Sequence, residues 1–425
     1  MATTFRTADD LRSAVADRSF DRPPAIVCNA HVTGLGVARA LAAHDVPVIT
    51  VDRNGLGVAP YSTAVDLAGE VTFPLDDLDG FREDIESIAA ETGHEPVAFG
   101  CMDEWALAFA ETEPEGVRLP FSDHETVEAV LNKESLYATA GRLGVPYPET
   151  CRLRGIGEKS SVNQKGRPRL CDPDEAADRL GFPLVIKPAR KREFEEAVGT
   201  NVIEVESRSA YHDVIETARE KNIRIMAQEK IPVSIGDDCS LASYVPPEGD
   251  PLAVVGNARV RSPRGFGTSC VVDIVDSREV RDRALSVIEE TGYHGISEAE
   301  FVYDESREEY VLLDVNTRPW KWIDLPVTAG ANLPMAAYAS VTDATYESDG
   351  VRDARWVSLA DYLSLLSEDD SFVDVLGRSE WEALFSGAFE NRDDLTTGVY
   401  RPSDPTPTYR LLQTEFGNQE YYCAC

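Results

Sequence analysis

Three oxygen-bearing side chains, Glu300, Asp314 and Asn316, and the guanidinium of Arg318 are the groups whose types and spacing best suit chemistry. Asp314 and Asn316 are two positions apart, so on an extended strand both side chains leave the same face. Carboxylate and amide oxygens suit a hard cation such as Mg²⁺, which usually brings nucleotide phosphates with it. Arg318 offers a fixed fork of donors that suits phosphate. The pattern therefore predicts a site where a metal ion and phosphate oxygens meet.

A β-hairpin is the element that must bring these side chains together. Apolar runs at 299–303 and 310–315 flank the polar segment 304–309, which is the pattern of two strands joined by a turn. If the strands pair around this turn, Glu300 meets the two residues of the second strand. The alternative is an ordinary surface hairpin that ends in Asn-Thr-Arg-Pro, because a motif match alone is only a hypothesis.

The composition indicates a folded, strongly acidic protein. The 425 residues suffice for two or three domains, and 43% of them are hydrophobic. With 75 acidic and 41 basic residues the net charge is −34, so the surface repels nucleic acid and anionic membranes. No apolar run approaches the roughly 18 residues that cross a membrane, and the first residues lack an apolar signal region. These features predict a cytoplasmic protein.

The spread of charge and the cysteines indicate the environment of the protein. Acidic residues occur along the whole chain rather than in a tail, which is typical of adaptation to high salt, where charge screening is short-ranged. The eight cysteines are scattered and form no CxxC pair. They predict reduced, mostly buried thiols rather than disulfides or a zinc site.

The amino-terminal part of the chain predicts a Rossmann-like α/β unit. Strands at 25–28 and 46–51 flank a glycine-bearing loop and a helix from about Gly36, an arrangement similar to a dinucleotide-binding fingerprint. The fingerprint is incomplete because Arg39 occupies its third glycine position. An NAD(P)-dependent oxidoreductase that uses the loop of Gly34 and Gly36 is therefore an alternative, against a half-domain that holds another ligand or none.

Two further polar features have more than one interpretation. Asp103 and Glu104 follow a predicted strand at 97–101, where open parallel sheets place ligands, but they can equally cap the helix that follows. The stretch 151–170 holds six basic residues and one acidic residue. This basic segment is either a flap over an anionic ligand or a solvated insertion.

Several short motifs occur in a fixed order between about 25 and 340. After the Rossmann-like opening they are Asn132-Lys-Glu-Ser-Leu, Phe182-Pro-Leu-Val-Ile-Lys-Pro, Gln228-Glu-Lys-Ile-Pro, a loop at 259–269, Glu300-Phe and Asp314-Val-Asn-Thr-Arg-Pro-Trp. In this order they resemble the ATP-grasp superfamily and, within it, the carboxylate–amine ligases. The resemblance implies an α/β and α+β protein with the ATP-grasp fold. Its parts would be a Rossmann-like (pre-ATP-grasp) domain at 1–123, an ATP-grasp domain of two α+β subdomains at 124–345, and a helical or irregular extension at 346–425.

The resemblance also implies a nucleotide site. Lys133 and Lys187 would contact the α and β phosphates of ATP. The hinge that presents backbone groups to adenine would comprise Gln228, Glu229, Lys230 and Ile231. Glu229 would lie near the base, and Asp237 or Asp238 near the ribose.

The same resemblance implies the metal and catalytic residues. Two Mg²⁺ ions, with Mn²⁺ as a substitute, would be held by Glu300, Asp314 and Asn316. Asp314 stands where the family more often has Glu, a shorter side chain that still binds metal. Arg318, with Arg259 or Arg261, would steady the transferred γ-phosphoryl group.

The implied activity is an ATP- and Mg²⁺-dependent ligation. A carboxylate is a poor electrophile, so ATP would convert it to an acyl phosphate that an amine attacks, with release of ADP and phosphate. Such phosphoryl transfer needs positioning and charge neutralisation. The expected partners are a small carboxylate and a small amine, with no nucleic acid and no membrane, and a homodimer is compatible with the sequence. Besides the oxidoreductase, the other alternative is a non-catalytic ATP-binding protein.

Overall fold

The computed structural model describes residues 4–156, 167–188, 202–232, 234, 236–262 and 267–415. Residues 157–166 of the basic segment, residues 263–266 of the loop predicted at 259–269 and the last ten residues lie outside the described residues. Three β-sheets form the framework of the described chain.

The amino-terminal unit is a parallel five-stranded sheet with strand order β1-β4-β3-β2-β5. Its strands are β1 (Phe5–Arg6), β2 (Ala25–Cys28), β3 (Val48–Asp52), β4 (Leu67–Glu70) and β5 (Val97–Gly100). Its helices are α1 (Ala8–Ala16), α2 (Val32–Ala42), α3 (Leu78–Glu91) and α4 (Asp103–Thr112), with a 3₁₀ turn at Ala59–Tyr61. Strands β2, β3 and β5 are buried along their whole length, which explains their apolar runs without alternation.

Helix α2 begins four residues earlier than the sequence predicts, and this removes the predicted glycine loop. Gly34 and Gly36 both lie inside the helix. A Cβ atom at Gly34 would lie 2.2 Å from the Asn29 carbonyl oxygen, and one at Gly36 would lie 2.6 Å from a methyl carbon of Ile323. The two glycines are therefore required by close packing, and the alternative of a dinucleotide-binding loop is not favoured.

A smaller five-stranded sheet follows, with strand order β7-β6-β10-β8-β9. It is preceded by α5 (His124–Leu131) and α6 (Lys133–Leu143). Its strands are β6 (Thr150–Leu153), β7 (Arg169–Cys171), β8 (Leu184–Pro188), β9 (Ile203–Val205) and β10 (Ile225–Glu229). Helices α7 (Pro173–Leu180) and α8 (Arg208–Glu220) pack on one face of this sheet over an apolar cluster. Its other face is left for the side chains of Lys187 and Gln228, which alternate with the apolar positions.

The third sheet has seven strands in the order β15-β14-β11-β12-β13-β16-β17. They are β11 (Asp238–Val245), β12 (Leu252–Ser262), β13 (Thr268–Val275), β14 (Gly295–Asp304), β15 (Glu309–Asn316), β16 (Arg355–Val357) and β17 (Leu395–Thr397). The helices of this part are α9 (Arg278–Thr291), α10 (Asp324–Thr328), α11 (Leu333–Ser340), α12 (Leu359–Glu368), α13 (Arg378–Ser386) and α14 (Thr406–Glu415). Two 3₁₀ turns lie at Asp370–Val375 and Ala388–Asn391.

The region after 346 is joined to the rest of the fold in two ways. Its strand β16 pairs antiparallel with β13, and β17 pairs parallel with β16, so this region contributes the last two strands of the seven-stranded sheet. Asp404 also contacts the amino-terminal unit: its carboxylate lies 2.9 Å from the guanidinium of buried Arg39 and accepts a hydrogen bond from Ser62. Arg39, which occupies the third glycine position of the dinucleotide fingerprint, therefore forms an ion pair that joins the amino-terminal unit to the region after 346.

The amino-terminal unit packs directly on the seven-stranded sheet. One apolar cluster contains Val27 of β2, Val254 of β12 and the indoles of Trp320 and Trp322, whose rings lie 5.0 Å apart. The segment after Arg318 therefore runs between the two sheets. None of the helices within the described ranges is both long and apolar enough to span a bilayer.

Candidate active site

The β14–β15 hairpin places four polar side chains on one face of the seven-stranded sheet. Glu300 is the Cα partner of Asp314, and Glu298 is the Cα partner of Asn316. Directly opposed residues of an antiparallel pair point to the same side of the sheet. A β-bulge follows Glu300, where the pairing shifts by one residue so that Phe301 faces Leu312 and Leu313 has no Cα partner in the ladder. Glu300, Asp314 and Asn316 are thus brought together as the spacing predicts.

The amide of Asn316 lies between two carboxylates. Its Nδ2 donates to Glu300 Oε1 at 3.0 Å and to Glu298 Oε2 at 3.1 Å. Burial, reinforced by the charge of Glu300, raises the pKa of Glu298 to about 8, against the lowering effects of Arg318, Asn316 and Arg261. Glu298, Glu300 and Asn316, which we name the oxygen cluster, are therefore an electrostatically costly group unless a proton or a cation is bound.

Glu298 is a site residue that the sequence reasoning missed. The apolar run predicts a first strand that begins at 299, whereas β14 begins at Gly295. The signal was present, because Glu298 precedes Glu300 by two positions and must share its face.

Asp314 is paired with a lysine rather than with the oxygen cluster. The Nζ of Lys133 lies 2.6 Å from Asp314 Oδ2. Lys133 is buried at the first position of α6, whose amino terminus is capped by the Asn132 side chain accepting from the backbone N–H groups of Glu134 and Ser135. The cap thus helps to hold Lys133, which is predicted to contact phosphate, beside Asp314, which is predicted to bind metal.

Arg318 connects the hairpin to the amino-terminal unit. Its Nε donates to Asp103 Oδ1 at 2.5 Å, and its Nη1 donates to the Pro319 carbonyl oxygen. Asp103 opens α4 just after β5, so the carboxylate that was expected either to face a ligand or to cap a helix contacts this guanidinium. Arg318 is buried and close enough to Glu298 to lower the pKa of that carboxyl.

The two other predicted arginines are separated by a β-bulge. Arg261 donates from Nε to Asp238 Oδ2 at 2.9 Å and lies near enough to Glu298 to influence its pKa. Arg259 lies in the irregular pairing between Ala258 and Val260, where the period-two alternation is lost. Its guanidinium is half exposed and lies 3.9 Å from Asp273. The two arginines therefore do not share a face as the sequence predicts.

The predicted hinge residues are held by contacts to four neighbouring segments. Gln228 is buried and donates from Nε2 to the Tyr137 hydroxyl at 3.1 Å and to Thr150 Oγ1 at 2.9 Å. The Glu229 carboxylate accepts from Arg307 in the turn of the hairpin at 2.6 Å. Lys230 pairs with Glu204. The hinge thus ties the smaller sheet to the hairpin.

An apolar cluster lies beside the hinge. It consists of Ile231, Val302, Val311 and, partly buried, Leu313. Val302 follows Glu300 by two positions on β14, so it shares the face of the oxygen cluster. On this face of β14 the carboxylates of Glu298 and Glu300 are therefore followed by the apolar side chain of Val302.

The remaining predicted nucleotide residues lie on either side of the hinge. Lys187 ends the apolar run of β8 and is the Cα partner of Met226 in the smaller sheet. Asp237 accepts from the Ser234 hydroxyl at 2.6 Å. Asp238, the other candidate for the ribose, pairs with Arg261 as described above.

Solved structures share this architecture over most of the chain. N5-carboxyaminoimidazole synthetase from Staphylococcus aureus superimposes with a TM-score of 0.60 at 11% identity, covering 83% of this chain and 86% of that chain. The biotin carboxylase domain of Hydrogenobacter thermophilus 2-oxoglutarate carboxylase, solved with MgADP, ADP and bicarbonate, gives a TM-score of 0.57 at 15% identity, covering 79% and 73%. The chain has the ATP-grasp fold. The fold implied by the motif order is thereby confirmed.

Sequence relatives match a shorter region of the chain. D-alanine–D-alanine ligases from Arthrobacter sp. (strain FB24) and Pseudomonas fluorescens (strain Pf0-1) are 24% and 23% identical over 227 and 239 residues. These matches cover 47% and 50% of this chain and 58% and 62% of the two ligases. No protein-family model matches the chain.

The donor set of the candidate site fits a divalent cation that arrives with phosphate. Within the described residues no group of three or more His, Cys, Asp or Glu has the geometry to hold a metal ion by itself. The oxygen cluster instead offers two carboxylates and an amide group. Mg²⁺ is usually bound by one or two carboxylates together with substrate phosphates and water. The cluster therefore suits Mg²⁺ with a bound nucleotide better than Mg²⁺ alone.

Proposed function

We propose that the protein is an ATP- and Mg²⁺-dependent ligase that joins a carboxylate to an amine and releases ADP and phosphate. The observation that carries the proposal is the oxygen cluster on the face of β14, with the cations Lys133, Arg261 and Arg318 around it. Two close carboxylates with surrounding cations are the arrangement that phosphoryl transfer requires for binding both a metal ion and phosphate oxygens. The ATP-grasp fold and the D-alanine–D-alanine ligase relatives support the same class of reaction.

The proposed reaction has two steps. A carboxylate oxygen of the substrate attacks the γ-phosphorus of ATP, the bond from that phosphorus to the β–γ bridging oxygen breaks, and ADP leaves. The neutral amine then attacks the acyl carbon, the bond to the phosphate oxygen breaks, and the amine nitrogen loses a proton to solvent. Arg318 and Arg261 would orient and neutralise the transferred group, because guanidinium groups bind phosphate oxygens through two parallel hydrogen bonds.

The metal would be held by Glu298, Glu300 and Asn316, with Asp314 joining them when Lys133 moves to a phosphate. Either Mg²⁺ or Mn²⁺ suits these oxygen ligands. A bound divalent ion would neutralise negative charge on the β and γ phosphates. The high pKa of Glu298 supports this assignment, since the site gains most from a cation where two carboxylates are buried together.

The nucleotide would lie along one face of β14. The apolar surface of Ile231, Val302, Val311 and Leu313 would take the adenine, and the oxygen cluster the phosphates. Lys133 and Lys187 would contact phosphates, the backbone of 228–231 would bind the base, and Asp237 or Asp238 would bind the ribose. The order of apolar and acidic residues along one strand supports this direction.

The proposal extends to the setting of the enzyme. A net charge of −34 with acids spread along the chain supports a cytoplasmic protein that works at high salt. Sedimentation in concentrated potassium chloride would decide whether the protein is a homodimer. Unfolding on transfer to low salt is the expected result if the acidic surface reflects salt adaptation.

The decisive test is ADP formation from ATP in high potassium chloride with pooled amino acids and small acids, with and without Mg²⁺. We expect ADP release that requires both substrates and that is lost in Asn316→Ala. The matched control is Glu305→Gln, which changes an exposed glutamate in the turn of the same hairpin. ATP binding without any ADP release would favour a non-catalytic binding protein, and NADH binding without ATP binding would favour the oxidoreductase alternative. Full turnover in Asp314→Ala would show that Asp314 is not a metal ligand.

A further inference from the structure

A second group of basic side chains lies on the smaller sheet, around one buried carboxylate. The Glu134 side chain is 4% exposed, and one of its oxygens lies 3.5 Å from the guanidinium of Arg167 and 3.7 Å from that of Arg152. Its other oxygen lies 3.9 Å from the guanidinium of Arg224. The three arginines come from separate segments, because Arg152 is on β6 whereas Arg167 and Arg224 precede β7 and β10. We name these three arginines and Glu134 the arginine cluster.

The arginine cluster lies on the same face of the smaller sheet as Lys187. Arg152 and Lys187 are the Cα partners of Met226 from the two strands that flank β10, so their side chains point to one side of the sheet. With neighbouring strands about 4.8 Å apart, the Cα atoms of Arg152 and Lys187 are about 10 Å apart. Glu134 directly follows Lys133, the other lysine proposed to contact phosphate. The cluster therefore lies beside the proposed nucleotide phosphates but consists of different residues.

The charges of the cluster do not balance. Within the described part of the chain, Glu134 is the only carboxylate within 4.0 Å of the guanidinium of Arg167 or of Arg224. Arg152 shares the same carboxylate. Two guanidiniums that depend on one carboxylate leave a positive charge in excess, although the chain as a whole has a net charge of −34. Such a local excess attracts an anion.

The cluster also has hydrogen-bond donors that Glu134 does not take up. The three distances of 3.5, 3.7 and 3.9 Å exceed the roughly 2.7–2.9 Å of a charge-assisted hydrogen bond. The Nε of Arg224 is buried and has no hydrogen-bond partner among the described residues. The Nε of Arg152 donates to the Pro168 carbonyl oxygen at 2.9 Å, which fixes the direction of that guanidinium. Converging guanidinium donors of this kind match an anion with several oxygens.

Two members of the cluster belong to the basic segment at 151–170. Its sequence predicts either a flap over an anionic ligand or a solvated insertion. Arg152 is 5% exposed and Arg167 is 28% exposed, and both turn to Glu134 rather than to solvent. Arg169 of the same segment is by contrast 60% exposed and pairs with Glu175 at the surface. The described ends of the segment therefore favour a role in anion binding.

We infer that the arginine cluster binds inorganic phosphate at a site separate from that of the nucleotide. Arg152, Arg167 and Arg224 would donate to the phosphate oxygens. Glu134 would accept the hydrogen of a P–OH group, because an ionised carboxylate is only an acceptor. Inorganic phosphate keeps at least one such hydrogen at neutral pH, whereas sulfate has none, so Glu134 would select phosphate over sulfate. The inference goes beyond the proposed ligation, since it concerns binding in the absence of ATP and substrates.

The test is calorimetric titration with potassium phosphate at neutral pH and fixed ionic strength, without nucleotide or metal. The variant carries Arg167→Gln and Arg224→Gln, two partly exposed positions whose substitution should leave the fold intact. The matched control is Arg169→Gln, which removes an exposed arginine of the basic segment. Thermal unfolding of each protein checks the fold. Two further titrations use potassium sulfate with the wild type and Glu134→Gln, and phosphate with wild type saturated with Mg²⁺ and ADP.

We expect the wild type to bind phosphate with a millimolar Kd. The double variant should bind it at least about tenfold more weakly, because two charge-assisted contacts are lost, and the control should change the Kd by no more than about twofold. The wild type should prefer phosphate over sulfate by about tenfold or more, and Glu134→Gln should lose that preference, because a glutamine amide can donate to sulfate.

Three results would overturn the inference. The first is the absence of phosphate binding to the wild type up to about 50 mM. The second is equal phosphate affinity in the wild type and the double variant, which would show that the arginines serve the fold alone. The third is displacement of phosphate by Mg²⁺ and ADP, which would place the anion on the phosphate site of the nucleotide. Phosphate binding without any ADP release from ATP would uphold this site while refuting the ligase.

Discussion

The buried carboxyl of Glu298 makes a quantitative prediction about the pH dependence of stability. Burial and Glu300 raise its pKa from the ordinary 4.5 to about 8. Between these pH values the native state keeps a proton that the unfolded state has released. The free energy of unfolding therefore falls as pH rises through this window. One pKa unit corresponds to about 1.4 kcal/mol, so the contribution lost between pH 4.5 and 8 is up to about 5 kcal/mol.

Glu298→Gln should remove this loss. A glutamine keeps an oxygen that accepts from Asn316 but carries no charge at any pH, so the variant should be more stable than the wild type at pH 8 by up to about 5 kcal/mol. At pH 4.5 the two proteins should differ by less than about 1 kcal/mol, because both side chains are then neutral in the native state. The same substitution should abolish ADP release, since it removes a proposed metal ligand.

The assay is urea unfolding followed by tryptophan fluorescence at pH 5, 6, 7 and 8, at fixed high ionic strength and without divalent metal. Glu305→Gln, at an exposed position of the same hairpin, is the control and should follow the wild type. The reasoning would be refuted by a difference between Glu298→Gln and the wild type that does not change with pH. A stability gain at pH 8 together with normal turnover would instead show that Glu298 has a raised pKa but is not required for ADP release.

Three further predictions follow from other contacts. Arg261→Ala should lower kcat/KM for ATP about tenfold or more in the ADP-release assay, whereas Arg259→Ala should change it by no more than about twofold. Equal losses in the two variants would show that both arginines act at the same site. Arg39→Met should lower the free energy of unfolding by about 3–5 kcal/mol in urea titrations, because Asp404 remains buried without its guanidinium; a loss below about 1 kcal/mol would show that the pair is not coupled to folding. Chelation of Mg²⁺ should stop ADP release and its addition should restore it, and turnover in excess chelator would exclude the metal assignment.

Much of the fold follows from short patterns in the sequence. The buried strands of the first sheet show continuous apolar runs, and the hairpin shows two such runs around a polar turn, so both were predictable. Strands β16 and β17 were not, because each has three residues and pairs with a partner distant in sequence. Periodicity over three residues carries too little information to distinguish such strands from loops.

The site was predictable only as far as strand geometry stays regular. Asp314 and Asn316 share a face because β15 alternates normally at its end, and the same rule extended to Glu298 would have completed the oxygen cluster. The rule fails for Arg259 and Arg261 because a bulge inserts between them, and a bulge leaves no mark in the residue types there. The glycines of α2 were misread for a related reason: Gly34 and Gly36 are required by contacts to Asn29 and Ile323, which no local pattern reveals.

The cations of the proposed site are all paired with carboxylates, a feature that the sequence does not reveal. Each is paired with a carboxylate from a different element, at 2.5–2.9 Å: Lys133 with Asp314, Arg261 with Asp238 and Arg318 with Asp103. In a chain with a net charge of −34 such pairing keeps the cations in place without drawing in other anions. A phosphate or substrate carboxylate that takes over one of these cations frees its carboxylate, and a carboxylate freed beside the oxygen cluster strengthens the attraction for a divalent metal. Nucleotide and metal binding should therefore reinforce each other, which is the behaviour expected of a site in which neither ligand is held well alone.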